Sequence, residues 1–341
     1  MKSCLVIQTA FIGDAVLTLP LVQVLKKADV DASVDVLAIP RTSELFSTHP
    51  AIHHVHIIDK RGKDSGLAGL RRFAHLIAEA KYDVALIPHR SIRSAVLPWL
   101  GRIHSRIGFD RSAGWFLMTQ TVRYDPSVHE VERNLSLLRP LGIQWAGKEL
   151  PNLFPTLADV QAVDAFLENS GLPNSSALIG IAPGSVWQTK RWPKESFAEI
   201  TKTLSLEGFS SVLIGGKEDE QLCREIKGGI ASDRVAISAG RLSVIQSAEL
   251  IRRCRALVSN DSAPMHLAVA MRTPVLAIFG STVPEFGFSP FGNHSAILEA
   301  KGLPCRPCSV HGSQRCPIKT FDCMVNISAS AVFNKVREMV A

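Results

Sequence analysis

The residues best suited to chemistry in this chain lie together at Ser259-Asn260-Asp261-Ser262-Ala263-Pro264-Met265-His266. The apolar run at 256–258 reads as a buried strand, and 267–271 as the body of a helix. Asn260, Asp261 and Ser262 are all good helix N-caps, and Pro264 suits an early helical position. Such a strand-to-helix corner presents free backbone N–H groups and the positive end of a helix dipole at the carboxyl edge of a parallel sheet. Phosphates and sugar hydroxyls bind there. Capping accounts for any one of these polar residues. Asn, Asp and Ser in one corner, with His266 a turn further on, point to a ligand site.

Two more corners repeat the arrangement. The first strand ends in Gln8-Thr9-Ala10-Phe11-Ile12-Gly13-Asp14-Ala15, and a helix follows. This is the place of a phosphate loop, yet it has neither G-x-G-x-x-G nor G-K-[ST]. Instead a carboxylate, Asp14, stands at the helix start beside Gly13, which leaves a substrate room. Asp14 reads either as a first-turn acid complementing the dipole or as a general base. A strand at 179–182 runs into Pro183-Gly184-Ser185, and Lys190-Arg191-Trp192-Pro193 follows. Gly184 and Ser185 offer backbone and hydroxyl donors, and Lys190 a mobile cation for a phosphate. Glu218 and Glu220 open the next helix, where acids can grip ribose hydroxyls or simply favour the helix start.

The chain of 341 residues is long enough for two domains, and 46% hydrophobic with 20% charged residues is an ordinary globular composition. No apolar run approaches the roughly 20 residues that span a bilayer. Lys2 before Cys4-Leu5-Val6-Ile7 resembles a leader, but Gln8 and Asp14 interrupt it early, so a first strand and a cytoplasmic protein are expected. The net charge is +7, and residues 1–150 carry 19 Lys/Arg against 14 Asp/Glu. That excess fits an anionic partner: phosphorylated lipid, sugar phosphate or nucleic acid. Zinc-finger spacing, an RNP-like motif and a long basic helix are all absent from the sequence, which argues against nucleic acid.

Strands and helices must alternate to position these corners. Strands are expected at 5–7, 34–37, 55–58 and 84–87, with helices at 15–28, 42–47 and 67–80, and a later helix from His129 to Pro140. A Pro-rich polar stretch from Gly142 to Leu157 reads as a linker. Strands follow at 178–181, 212–214, 235–237, 256–258 and 275–278, separated by helices at 194–206, 218–227, 243–253 and 264–271. The pattern predicts an α/β protein with two parallel-sheet domains, 1–157 and 158–341, and a cleft between them. An apolar stripe (Ala329, Val332, Phe333, Val336, Val340) predicts a terminal helix packing back across the domain junction.

Ile12-Gly13-Asp14, Lys190-Arg191-Trp192-Pro193 and 260–266 resemble segments of the bacterial ADP-heptose:lipopolysaccharide heptosyltransferases of glycosyltransferase family 9. Arg106-Ile107-Gly108-Phe109 and His129-Glu130-Val131-Glu132-Arg133 match family segments too, so the resemblance runs nearly end to end. The heptosyltransferase II type is the nearest pattern. The resemblance implies a GT-B fold of two Rossmann-like domains, with the acceptor on the first and the nucleotide-sugar on the second. It implies Asp14 as catalytic base, Lys190 and Ser185 as diphosphate ligands, and Glu218 and Glu220 on the ribose. Asp261, Ser262 and His266 would surround the heptose and its phosphates, with Gly13, Arg111 and His129 on the acceptor side. Arg61, Lys63, Arg90 and Arg93 are further candidates for an anionic lipopolysaccharide core precursor at the inner membrane surface. Ala263-Pro264 departs from the glycine many members carry there and implies a stiffer loop. No cofactor or metal is expected, because no DxD pair suited to a metal-bound sugar nucleotide is apparent and Lys190 and the helix starts can stabilise a departing diphosphate.

Four of the seven cysteines cluster as Cys305-x2-Cys308-x7-Cys316-x6-Cys323 in a Pro-rich segment. The expectation is a loop near the cleft rim with buried, metal-free thiols; a zinc site stays open as the alternative. Within the family, transfer of another sugar or to another acceptor stays open, and two functions of other classes stay open on the residues alone. One is a nicotinamide-dependent oxidoreductase, against which the missing G-x-G-x-x-G counts. The other is a two-lobed anion-binding protein without turnover.

Overall fold

The computed structural model describes residues 2–172, 177–292 and 294–341. The chain divides into two compact units, Met1–Phe154 and Pro155–Ala341, slightly ahead of the expected boundary at 157.

The first unit runs β1 (Ser3–Ile7), α1 (Ile12–Ala28), β2 (Ser33–Ala38), α2 (Ser43–Ser47), β3 (His54–Ile57), α3 (Gly66–Ala80), β4 (Val84–Ile87), α4 (Ile92–Leu100), β5 (Ser105–Phe109), β6 (Gln120–Val122) and α5 (Glu130–Ser136). Its sheet is parallel, in the order β3-β2-β1-β4-β5-β6. The central strands β1 and β4 are continuous apolar runs because helices cover both faces. The sequence reading missed α4, β5 and β6. The two strands lie toward the sheet edge, where two of the five β5 residues and all three of β6 stay at least partly accessible and the apolar run is broken. Helix α4 is short and carries Pro98 in its last turn.

The second unit runs α6 (Leu157–Ser170), β7 (Leu178–Ala182), α7 (Lys194–Leu206), β8 (Ser210–Leu213), α8 (Glu220–Gly228), β9 (Val235–Ile237), α9 (Val244–Arg252), β10 (Ala256–Asn260), α10 (Ala263–Ala270), β11 (Val275–Phe279), β12 (Ser295–Glu299), α11 (Asp322–Val325) and α12 (Ala329–Val340). Its parallel sheet has the order β12-β11-β10-β7-β8-β9. Helix α6 was not expected: it starts at a Thr156–Asp159 capping box but buries only Val163.

In each sheet the first strand is central, and the chain winds first to one side and then to the other. The connections therefore diverge beside β1 (between β2 and β4) and beside β7 (between β8 and β10). The crevice at the carboxyl ends of such strands is where open α/β sheets bind ligands. The corners that contain Asp14, Ser185 and Asp261 all lie at these two edges. The terminal helix corrects an expectation. Helix α12 packs on α7, β10 and β11, placing Val332, Val336 and Val340 in the second unit's own core. It is a layer of that unit, since its apolar stripe matches the open face beside α7.

Candidate functional site

In the second unit the corners after β7 and β10 are tied by one buried amide. Asn260 is fully buried: its Oδ1 accepts the Trp192 N–H at 3.0 Å, and its Nδ2 donates to the Pro183 carbonyl at 2.8 Å. The loop 183–193 is thereby fixed against β10, and Trp192 is buried against Phe197 with its indole N–H on the Ile327 carbonyl. Lys190 then reaches Asp261, Nζ to Oδ2 at 2.6 Å, with both side chains largely buried. The Thr282 hydroxyl donates to the same carboxylate oxygen at 2.6 Å. Ser262 is the N-cap of α10, its hydroxyl 3.4 Å from the Asn260 carbonyl, and His266 lies buried on the same helix. Ser185 is buried, and its hydroxyl accepts the Trp187 N–H at 3.4 Å.

Next to this corner, Asp219 sits under two glycines. A Cβ on Gly184 would lie 2.3 Å from Asp219 Oδ1, and one on Gly215 would lie 2.6 Å from its Cβ. Both positions need glycine for that close approach. Glu218 is exposed in the turn before α8, and Glu220 pairs with Arg224 one helical turn on.

In the first unit Asp14 lies in the first turn of α1, and its Oδ2 accepts the Phe11 N–H at 3.2 Å. The helix-start reading is thus part of its role, and that contact fixes the carboxylate at the carboxyl edge of β1. Helix α5 packs on α1 through the buried Asn134 amide, which donates to the Leu17 carbonyl at 3.1 Å. One turn earlier on α5, Glu130 pairs with the buried Arg133 at 2.7 Å. The guanidinium of Arg133 also stands over the Tyr124 ring, which Arg90 approaches as well. Burial pushes the Glu130 carboxyl up to about 7, with the Asp14 charge acting in the same direction and Arg133 opposing.

A basic group adjoins this edge. Lys60 donates to the Thr9 carbonyl, and its ammonium is pushed down by burial and by Arg61 and Arg93. Arg93 donates to the Asp64 carbonyl at 2.6 Å. His89 contacts Thr9 Oγ1 and Ser94 Oγ at 2.9 Å each, and burial with Lys60 and Arg90 pushes it down to about 4.

The family model for glycosyltransferase family 9 (heptosyltransferase) matches residues 70–318. The chain belongs to glycosyltransferase family 9. Lipopolysaccharide heptosyltransferase 2 of Salmonella typhimurium is 30% identical over 291 residues, covering 83% of this chain and 84% of that protein. Among solved structures, a glycosyltransferase family 9 protein from Veillonella parvula superimposes with a TM-score of 0.89 at 23% identity, covering 99% and 97% of the two chains. The Escherichia coli ADP-heptose heptosyltransferase II gives 0.83 at 24% identity, covering 100% and 98%. The fold is accordingly the GT-B type, with two Rossmann-like domains, and the chain is a glycosyltransferase rather than a nicotinamide oxidoreductase.

Of the expected donor residues of this family 9 chain, Ser185, Lys190, Asp261, Ser262 and His266 meet at the β7/β10 edge. Glu218 and Glu220 lie at the neighbouring end of β8. On the first unit, Gly13 and Asp14 share the first turn of α1, while Arg61 and Lys63 are exposed on the loop after β3. Arg111 is exposed on the loop after β5. His129 also has a structural role: its Nδ1 accepts the Val131 N–H at 3.2 Å, so that ring nitrogen caps α5. Sequence reasoning missed Asn260 as a tie, the packing of Asp219 under Gly184 and Gly215, Lys60, and the Glu130–Arg133 pair. Only the last had a local signal, the i,i+3 spacing of opposite charges.

The cysteine segment packs on the Lys190 loop. Thr189 and Ser313 exchange hydrogen bonds, Cys308 N–H donates to the Ser281 carbonyl, and Arg306 binds the carbonyls of Gly280 and Thr282 and the Glu299 carboxylate. Only Cys323 of the four is buried, contrary to the expectation of buried thiols, because the Pro-rich loop 303–321 lies over the surface. Burial and the other three cysteines push Cys323 up to about 11. Cys316 is held low: burial opposes this, but the N–H groups of Phe321, Ile318, Lys319 and Thr320 outweigh it. Among the described residues no group of three or more His, Cys, Asp or Glu is arranged to hold a metal ion.

Glu130 generates a pH prediction. Its carboxyl ionises near 4.5 when unfolded and near 7 when folded, so its stabilising contribution is complete below 4.5 and lost as pH rises through 7. Glu130→Gln cannot ionise. The difference in unfolding free energy between wild type and Glu130→Gln should change by about 1–3 kcal/mol between pH 4.5 and about 8, the wild type losing stability. Urea melts across that range measure it, and a pH-independent difference would contradict the assignment.

Proposed function

We propose that this chain is an inverting glycosyltransferase that moves a heptose from ADP-heptose to the inner core of a lipopolysaccharide precursor. The observation that carries the reading is the Lys190–Asp261 pair beside the start of α10, at the edge where β7 and β10 end. A cation held by a buried carboxylate next to helix N–H groups suits a diphosphate that gains negative charge as it leaves. The sugar and nucleotide are supported by relatives named for ADP-heptose and lipopolysaccharide heptosyl transfer.

The reaction is a single displacement. Asp14 takes the proton from an acceptor hydroxyl as its oxygen attacks the anomeric carbon. The bond from that carbon to the diphosphate oxygen breaks, and its electron pair leaves with ADP. Attack opposite the leaving group inverts the anomeric centre, and the transition state is oxocarbenium-like, as in glycoside hydrolysis. Lys190, Ser185 and the N–H groups at the start of α10 stabilise the departing diphosphate. Glu218 and Glu220 accept ribose hydroxyls, and Asp261, Ser262 and His266 orient the heptose. Lys60, Arg61, Lys63, Arg90, Arg93 and Arg111 supply charge for an anionic acceptor. The chemistry needs neither a metal nor a cofactor, and it takes place in the cytoplasm, where the nucleotide-sugar is available.

Asp14→Asn keeps the contact to Phe11 but cannot take a proton. ADP-heptose affinity should stay near wild type while turnover falls roughly 10²–10⁴-fold. Near-normal turnover in that variant would leave Asp14 as a helix cap and refute its role as base.

Lys190→Ala removes a contact that strengthens as the diphosphate departs, so kcat should fall together with donor affinity, with and without chelator. It also leaves Asp261 without its ion pair, at a cost of about 3 kcal/mol in stability. Assays below the variant's unfolding temperature separate the two effects. Unchanged kcat with weaker binding of ADP and ADP-heptose alike would make Lys190 a uniform binder only.

A further inference from the structure

The charge excess of the first unit is concentrated in one stretch of its sequence. Residues 88–124 contain six arginines (Arg90, Arg93, Arg102, Arg106, Arg111 and Arg123) and a single acid, Asp110. That segment accounts for the whole +5 excess of residues 1–150, the remainder being balanced. Asp110 is turned to the backbone, its carboxylate accepting the Tyr124 N–H at 2.8 Å.

The same segment exposes large apolar side chains on two adjoining elements. Ile92 and Trp99 are seven residues apart on α4, hence on one face roughly 10 Å apart along the axis, and both are exposed, as is Leu100. Trp115 and Phe116, in a 3-10 turn after β5, are 55% and 63% exposed, rings edge to face at 6.3 Å. The turn lies against α4 at Gly114, where a Cβ would be 2.4 Å from the Ala95 Cβ and 3.1 Å from Ile92 Cδ1. Its ends are pinned. Ala113 N–H donates to the Arg90 carbonyl at 3.0 Å, and Arg106 Nε donates to the Leu117 carbonyl at 2.8 Å. The two aromatics are therefore held out rigidly. A soluble surface gains nothing from that exposure.

We propose that the α4 face and the Trp115-Phe116 turn are the surface by which this chain docks on an anionic phospholipid bilayer. Tryptophan and phenylalanine enter the headgroup boundary, and the exposed arginines of the segment (Arg90, Arg102, Arg111 and Arg123) meet the lipid phosphates, while Arg93 and Arg106 are held on backbone carbonyls. The charge complementarity and the amphipathic aromatics favour a bilayer over a protein partner. The proposal deepens the reading above, since a lipid-linked acceptor is presented at such a surface. Arg90 connects the two, its carbonyl holding the aromatic turn and its guanidinium standing over Tyr124 beside Glu130. Among the described residues no helix is long and apolar enough to cross a membrane, so the contact is peripheral.

Flotation of the full chain with two vesicle types tests this: phosphatidylcholine alone, and about three parts phosphatidylcholine to one part phosphatidylglycerol. Wild type should float with the anionic vesicles and not the neutral ones, less so as salt rises. A Trp115→Ser, Phe116→Ser double variant with unchanged circular dichroism and melting temperature should lose roughly tenfold or more in partitioning. Its kcat on a de-acylated, water-soluble acceptor should equal wild type, while its rate on acceptor embedded in vesicles falls. Equal flotation of variant and wild type, or wild-type binding that ignores the anionic lipid, would overturn the docking surface. Failure of wild type to transfer heptose even to the soluble acceptor would instead overturn the proposed function.

Discussion

A fully buried amide has to satisfy both its donor and its acceptor, and in this chain Asn260 does so across two loops. With Trp192 N–H on its oxygen and the Pro183 carbonyl on its nitrogen, the loop bearing Ser185 and Lys190 has one position relative to β10. Everything proposed for the donor depends on that register. Lys190 can pair with Asp261 only because Asn260, the preceding residue, holds the opposing loop in reach. An unpaired buried group on either side would cost about 1–3 kcal/mol, enough to favour one loop conformation strongly. The cysteine segment adds a second brace from outside through Thr189 and Ser313, so the cation rests on a rigid frame.

The first unit solves a different problem, which is to keep a carboxylate at a helix start without a phosphate loop. Asp14 is fixed by the Phe11 N–H, and helix α5 brings a second carboxylate, Glu130, close enough for the two charges to be felt. Arg133 is buried to hold Glu130, and its charge is shared with the Tyr124 ring. The outcome is a negatively charged edge at Asp14 with a basic group (Lys60, Arg61, Arg93) nearby. That division suits a proton acceptor beside an anionic substrate.

The parts legible in sequence are those whose chemistry is local. The corner at 259–266, the turn at 183–185 and Asp14 after β1 declare themselves by capping residues between an apolar run and a helix, and the buried central strands by continuous β-branched residues. Strand β9 and helix α7 fall where periodicity places them. What stayed hidden depends on distant partners. Asn260 looks like a cap, and only its contacts 68 and 77 residues away show that it is a tie. The edge strands β5 and β6 carry Arg106, Gly108 and Gln120, which break the pattern that identifies a buried strand. The capping role of His129 Nδ1 was hidden in the same way, since it is read from the Val131 N–H it accepts and not from residue type. The cysteines were read as buried from residue type, but three of them lie on a Pro-rich loop that cannot enter the core.

The central claim is a single displacement of ADP from ADP-heptose by an acceptor hydroxyl, with no metal. The most direct measurement is the anomeric configuration of the transferred heptose, read by NMR on the product formed by chelator-treated enzyme. The account predicts the configuration opposite to that of the donor, formed with release of ADP. Retention of the donor's configuration, or transfer only after a divalent metal is restored, would contradict it.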